Sequence, residues 1–260
     1  MGRGAHRFPA LLLALACLAQ SAERLLESVV PALASGPSCS STVELANLGT
    51  RQVTVDAEGH WPSGALVPLA GADGVTLRLD PQERKALRLP AGEETTGAWV
   101  RLRERVPSPG LSPVIAVHAH TECLEADRLR SVTRDVAYPT RNPWYAGDVA
   151  DLPGARVSLI NTGERPALAT LCYSQGNLYS NGGSRLAPLC SEESEVRVPP
   201  FGSREFPVER NGSAWFSLKT GGDSIVLEML RPSPASSRIF VVDSTIRFGS
   251  EVPPAVPPRP

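Results

Sequence analysis

The chain repeats itself, and that repetition constrains its fold more than any other feature. Val43-Glu-Leu45-Ala-Asn47-Leu-Gly49 is matched by Val157-Ser-Leu159-Ile-Asn161-Thr-Gly163. Leu77-Arg-Leu79-Asp-Pro81 is matched by Val196-Arg-Val198-Pro-Pro200, with Leu87 and Leu89 falling opposite Phe206 and Val208. Ala98-Trp99-Val100-Arg-Leu102 is matched by Ala214-Trp215-Phe216-Ser-Leu218. Three blocks in one order, with offsets that drift only as loop insertions would shift them, are the signature of a duplicated structural unit.

Inside each block the apolar residues alternate, which is the period of a half-buried strand. Val43, Leu45, Val53 and Val55 point one way, while Glu44, Thr54 and Asp56 point the other. The Asn-x-Gly after the first strand reads as turn chemistry, since asparagine bonds nearby backbone and glycine tolerates unusual dihedrals. Asp80-Pro81 and Pro199-Pro200 break strands, and Glu209–Ser213 reads as a hairpin into the Trp215 strand. Further extended stretches are expected at Leu25–Leu33, Val114–Thr121, Val132–Pro139, Ser224–Leu230 and Arg238–Phe248. Val29-Val30-Pro31 is similar to Val136-Ala137-Tyr138-Pro139, so each unit is expected to begin with such a strand. High proline (25) and glycine (22) fit many short strands joined by turns. The prediction is an all-β chain of two tandem antiparallel sandwiches, residues 24–138 and 154–248. A junction is expected over 139–153 and a proline-rich, disordered tail over 249–260.

The order of strand, Asn-x-Gly turn, strand and proline-containing turn resembles immunoglobulin-like β-sandwich modules of bacterial surface and periplasmic proteins. That resemblance covers most of residues 24–248, once per repeat. It implies a fold used alike for adhesion, spacing, carbohydrate binding and chaperoning, and so names no ligand.

The N-terminus reads as an export signal over residues 1–22. Arg3 and Arg7 precede an apolar run from Phe8 to Ala19, and small residues follow at Ala19, Ser21 and Ala22. The run is shorter than a permanent anchor needs, and no second one exists, so no transmembrane segment is expected. Lipid attachment at Cys17 is not expected, because Ala14 stands where the processing site prefers leucine. The predicted location is periplasmic or secreted. Cys39, Cys123, Cys172 and Cys190 remain in the mature chain, and an exported protein with an even number invites two bridges. Four cysteines allow three pairings. Two lie in each repeat, which favours Cys39–Cys123 and Cys172–Cys190. A formal charge of −1 with scattered arginines gives no footing for nucleic acid.

Candidate chemistry is sparse. His118 and His120 alternate on one strand and so face one way, a candidate pair of metal ligands. Ile115, Val117 and Ala119 form the apolar face of that strand, which places both histidines toward solvent. No serine lies in a nucleophile elbow, and only His60, His118 and His120 survive signal removal as bases. Asp148 and Asp151 are too few for a calcium loop. Trp99 and Trp215 occupy equivalent positions and are expected to anchor the core of each unit. Trp61, Trp144 and Tyr145 have no repeat partners and are the candidates for stacking on a sugar or a partner protein. No cofactor is expected. The first-ranked function is therefore a non-enzymatic structural or binding module for a protein or glycan. A carbohydrate-binding module through the unpaired aromatics ranks second, and a metal-binding protein or hydrolase through His118 and His120 third.

Overall fold

The structure is a computed structural model. It describes residues 24–72, 75–92, 95–106, 114–134, 136–137, 144–148, 156–175, 192–207, 214–220, 225–233 and 236–242. The stretches expected to be an export signal (1–22, with Cys17), a hairpin (209–213) and a proline-rich tail (249–260), together with Asp151 and Cys190, lie outside the described residues.

Every regular element among the described residues is a strand. The first repeat holds β1 (Arg24–Ser35), β2 (Cys39–Asn47), β3 (Val53–His60), β4 (Leu66–Val67), β5 (Thr76–Leu79), β6 (Arg84–Arg88), β7 (Thr95–Val106), β8 (Ile115–Glu125) and β9 (Arg128–Arg134). The second holds β10 (Trp144–Asp148), β11 (Arg156–Asn161), β12 (Ala167–Gln175), β13 (Glu192–Val198), β14 (Ser203–Pro207), β15 (Ala214–Thr220), β16 (Ile225–Ser233) and β17 (Ser236–Val242).

The duplication read from the sequence is a duplication of topology. Sheet 1 runs β1-β7-β3, with β5 and β4 sharing the far edge of β3, and sheet 2 runs β6-β2-β8-β9. Sheet 3 runs β10-β15-β12-β13 and sheet 4 runs β14-β11-β16-β17. Setting the short β4 aside, each strand of the first repeat has its counterpart at the same place in the second. All pairings are antiparallel.

In the first repeat, sheets 1 and 2 face each other over one apolar core. Val30, Val55, Leu79, Val100 and Leu102 enter it from sheet 1, and Val43, Leu45, Leu87 and Ala119 from sheet 2. Period-two patterning is the cause: along β2, Cys39, Ser41, Val43, Leu45 and Asn47 are buried, while Ser40 and Glu44 are exposed. Fully burying a leucine such as Leu45 stabilises by about 1.5–3 kcal/mol. Cys39 and Cys123 stand directly opposite each other on β2 and β8 and form a disulfide, as their place in one repeat leads one to expect.

One expectation is corrected by the pairing. Of the segment Val136–Pro139, expected to begin the second unit, Val136 and Ala137 are described, and Ala137 pairs with the first repeat. Ala137 exchanges both backbone hydrogen bonds with Val29, each 2.8 Å, and so extends the edge of sheet 1. The counterpart of β1 is β10, which lies in the stretch 139–153 and pairs with β15. The likeness between the two Val-containing segments is local, whereas strand position is decided by which edge is free to bond.

Candidate functional site

The alternate face of β7 turns away from the core and carries Trp99, Arg101, Arg103 and Arg105. Register sets His60 and Glu58 of β3 opposite Trp99 and Arg101. It sets Val29 and Glu27 of β1 opposite Arg101 and Arg103. A half-buried sheet leaves such a face in water. Here the second repeat covers one end of it, so Arg101 is 7% exposed and His60 1%.

The contact is made by the turn between β13 and β14. Pro199, Pro200, Phe201 and Gly202 form a turn closed by Gly202 N–H donating to the Pro199 carbonyl, 3.0 Å. Phe201 takes φ 51°, a left-handed conformation that costs a bulky residue on the order of 1–3 kcal/mol. That conformation sets its ring on His60, centroids 5.3 Å apart, and under the Arg101 guanidinium at 4.8 Å. His60 in turn stacks on Trp99 at 4.5 Å. The result is a stack of Phe201, His60 and Trp99, closed on one side by a cation over the phenylalanine ring.

Ionic contacts frame the stack. Glu58 Oε2 accepts from Arg101 Nε at 3.1 Å and is also paired with Arg101 Nη2. Glu58 Oε1 accepts from Arg103 Nη2 at 2.9 Å. Arg101 Nη1 donates to the Thr162 carbonyl of the second repeat, 3.1 Å, so one guanidinium binds both halves of the chain. Burial pushes the Glu58 pKa up, but the hydrogen bond and charge of Arg101, the charge of Arg103 and that of His60 hold it below 4.5. For His60, burial is the largest influence and lowers the pKa below 6.5. The Gly64 carbonyl and Glu58 oppose that shift, while Arg101 adds to it. Its Nε2 stands 3.5 Å from Glu58 Oε2, an electrostatic contact too long for a good hydrogen bond. The imidazole is therefore neutral at pH 7.

Backbone contacts complete the joint. Ser203 N–H donates to the Pro62 carbonyl and Ser203 Oγ to the Gly97 carbonyl, both 3.0 Å. The two segments approach this closely because Gly64, at φ +91°, has no Cβ to strike the Pro200 carbonyl oxygen.

Trp99 is thus buried, but not in the core where the sequence places it. It joins Val29, Ala137, Ile160 and Phe201 in a separate cluster on the outer side of sheet 1. The reason is parity: Ala98 and Val100 already fill the inward positions of β7. Trp215 holds the equivalent place in β15, opposite Ser174.

The sequence-predicted residues lie elsewhere. His118 and His120 face outward from β8, exposed and half-buried, with ring centroids 6.1 Å apart. Trp61 is half-buried and packs against the first core. Trp144 and Tyr145 lie on β10, opposite Lys219 and Leu218 of β15. Cys172 lies on β12. Glu58, Arg101 and Phe201 carry no motif in the sequence, and His60 stands out there only as one of three histidines that could act as a base. The signal was present as a difference between the repeats. Where β3 and β7 pair Glu58 with Arg101 and His60 with Trp99, β12 and β15 pair Cys172 with Ser217 and Ser174 with Trp215. Comparison with protein-family models, curated proteins and solved structures finds no match to this chain.

Proposed function

We propose that the chain is an exported, non-enzymatic module. In this reading two immunoglobulin-like sandwiches are fixed to one another, so that their outer loops and sheet edges meet a protein or glycan partner as one surface. The observation that carries it is the lock of Glu58, His60, Trp99, Arg101 and Phe201. The most specialised polar groups of the described chain face the other repeat and hold it in place. A chain whose buried charges join its two halves is built to keep a fixed geometry, which reduces the ordering cost of binding across both. The disulfide, and an N-terminal segment whose sequence reads as an export signal, support a partner outside the cytoplasm.

The test is cross-linking of the exported protein on its native cell envelope, comparing wild type with Phe201→Gly. The expected result is a partner captured by the wild type and lost when the joint is loosened, although both sandwiches remain folded. Equal capture by both proteins removes the fixed geometry from the function. Binding on a glycan array that disappears in Trp61→Ala, with the strand circular-dichroism spectrum kept, would transfer the function to the unpaired aromatics.

A further inference from the structure

We propose that His118 and His120 form the nitrogen donors of a surface site for a divalent transition ion, copper(II) first and nickel(II) or zinc(II) after it, on the outward face of sheet 2. This does not rest on the function proposed above. The chain contains four histidines, and two of them stand two residues apart on one strand. Alternate strand residues share a face, so both imidazoles rise from the same side of β8. Their ring centroids are 6.1 Å apart and their planes tilted by 39°.

That spacing is close to what a chelate requires. An ion about 2.0–2.1 Å from each nitrogen lies roughly 3 Å from each ring centre, so at 6.1 Å it would sit almost in line between them. A modest rotation about χ1 or χ2 bends the angle to a tetrahedral or square arrangement, within the range of ordinary rotamers. The backbone beneath needs no movement. β8 is an inner strand bonded to both β2 and β9, and Cys123, three residues beyond His120, is tied to Cys39. A site built on a rigid strand loses less on binding than one on a loop.

His118 is exposed and His120 half-buried. Thr42 and Thr133 flank His120 on the neighbouring strands, and Glu44 stands directly opposite His118 on β2. Directly opposed side chains have Cβ atoms about 4.5–5.5 Å apart, so the Glu44 carboxylate is within reach of a bound ion. Among the described residues no three ligating side chains already surround one point. The site is therefore a two-imidazole chelate with open positions for water or for Glu44. Imidazole suits copper, nickel and zinc, and at an unconstrained site copper(II) binds most strongly.

The experiment is a copper(II) chloride titration of the untagged, disulfide-bonded exported protein by calorimetry, with electron paramagnetic resonance of the one-to-one complex. The expected spectrum carries hyperfine structure from two imidazole nitrogens. His118→Ala and His120→Ala should each weaken binding by more than tenfold, because even outer-shell partners of a metal are worth about 10–100-fold. Glu44→Gln should weaken it less. Both histidines lie on the outward face, so the variants should keep the Cys39–Cys123 bridge and the strand circular-dichroism spectrum. The double variant binding copper as tightly as wild type, or a spectrum of amine and amide nitrogens from the chain terminus, overturns the proposal.

Discussion

A primary amide has two N–H donors and an oxygen with two lone pairs, and Asn47 uses both ends without meeting water. Its Nδ2 reaches the carbonyls of Arg51 (2.8 Å), Leu79 (3.0 Å) and Asp80 (3.1 Å), one of its two protons being shared between two of them, and its Oδ1 accepts from Gly49 N–H (2.8 Å). Asn161 does the same to Arg165, Val198, Pro199 and Gly163. Each therefore ties the end of a strand in one sheet to the end of a strand in the facing sheet. The Asn-x-Gly was legible as a turn. Its span across two sheets was not, because Leu79 and Asp80 are brought to Asn47 only by the fold. Asn47→Ala leaves three carbonyls and one N–H without that partner in a fully buried position. It should cost about 3 kcal/mol, read as a lower midpoint in urea, and Asn161→Ala should cost a similar amount. A loss below about 0.5 kcal/mol, the usual surface value, would mean that water replaces the amide. Phe201 makes the opposite kind of prediction. Phe201→Gly relieves the left-handed backbone yet removes the ring from His60 and Arg101. Hydrogen exchange should rise at residues 97–101 and 203 while the cores of the sheets keep their protection, and unchanged exchange there would show the ring to be dispensable.

Strand β7 shows how much one element does when both its faces are used. Its even residues Ala98, Val100 and Leu102 fill the first core, and its odd residues build the joint. Along the odd face burial declines in order, with side chains 9% exposed at Arg101, 29% at Arg103 and 48% at Arg105. Equal charges should thus have unequal worth. Removing one partner of a buried pair costs up to roughly 3–5 kcal/mol when the other is left unpaired, and less here because Glu58 keeps Arg103, while an exposed pair contributes about 0–1 kcal/mol. Arg101→Met should therefore lower the denaturation midpoint more than Arg105→Met, because Arg105 is itself half in solvent, its contact with the buried Asp56 is long at 3.5 Å, and Asp56 keeps the Thr76 hydroxyl as donor. Equal effects would place Arg101 in water. The alternation of β7 and β3 was readable as strand, and it was natural to assign their polar face to solvent. What covers that face is a turn about a hundred residues further along, and no local pattern reports it. The two sheets of the first core, the duplicated strand order and the Cys39–Cys123 bridge were readable because each rests on period-two patterning or on the repeat itself.

At the scale of the molecule, the joint is where the two copies differ, and there its response to backbone and pH should appear. Gly64→Ala places a Cβ against the Pro200 carbonyl at a φ of +91°, whereas a Cβ at Gly92 meets nothing within 4 Å. The first should speed cleavage between the repeats in limited proteolysis, and Gly92→Ala should not. Acid should act on the same contact in two steps. His60 has a folded pKa below its ordinary 6.5. Its neutral form is the one the fold prefers, so its contribution is complete above pH 6.5 and is lost as pH falls from there toward the folded value. Glu58 has a folded pKa below 4.5, so its contribution is complete above pH 4.5 and is lost as pH falls through the lower folded value. Both changes run the same way, because a proton on His60 adds charge beside Arg101 and a proton on Glu58 removes the charge that pairs Arg101 with Arg103. Stability followed by urea denaturation at successive pH values should fall first just below pH 6.5 and again below pH 4.5. His60→Phe keeps an aromatic ring between Trp99 and Phe201 but has nothing to titrate, so the upper step should vanish and the lower one remain. Persistence of the upper step in that variant would assign it to another group and remove His60 from the pH response.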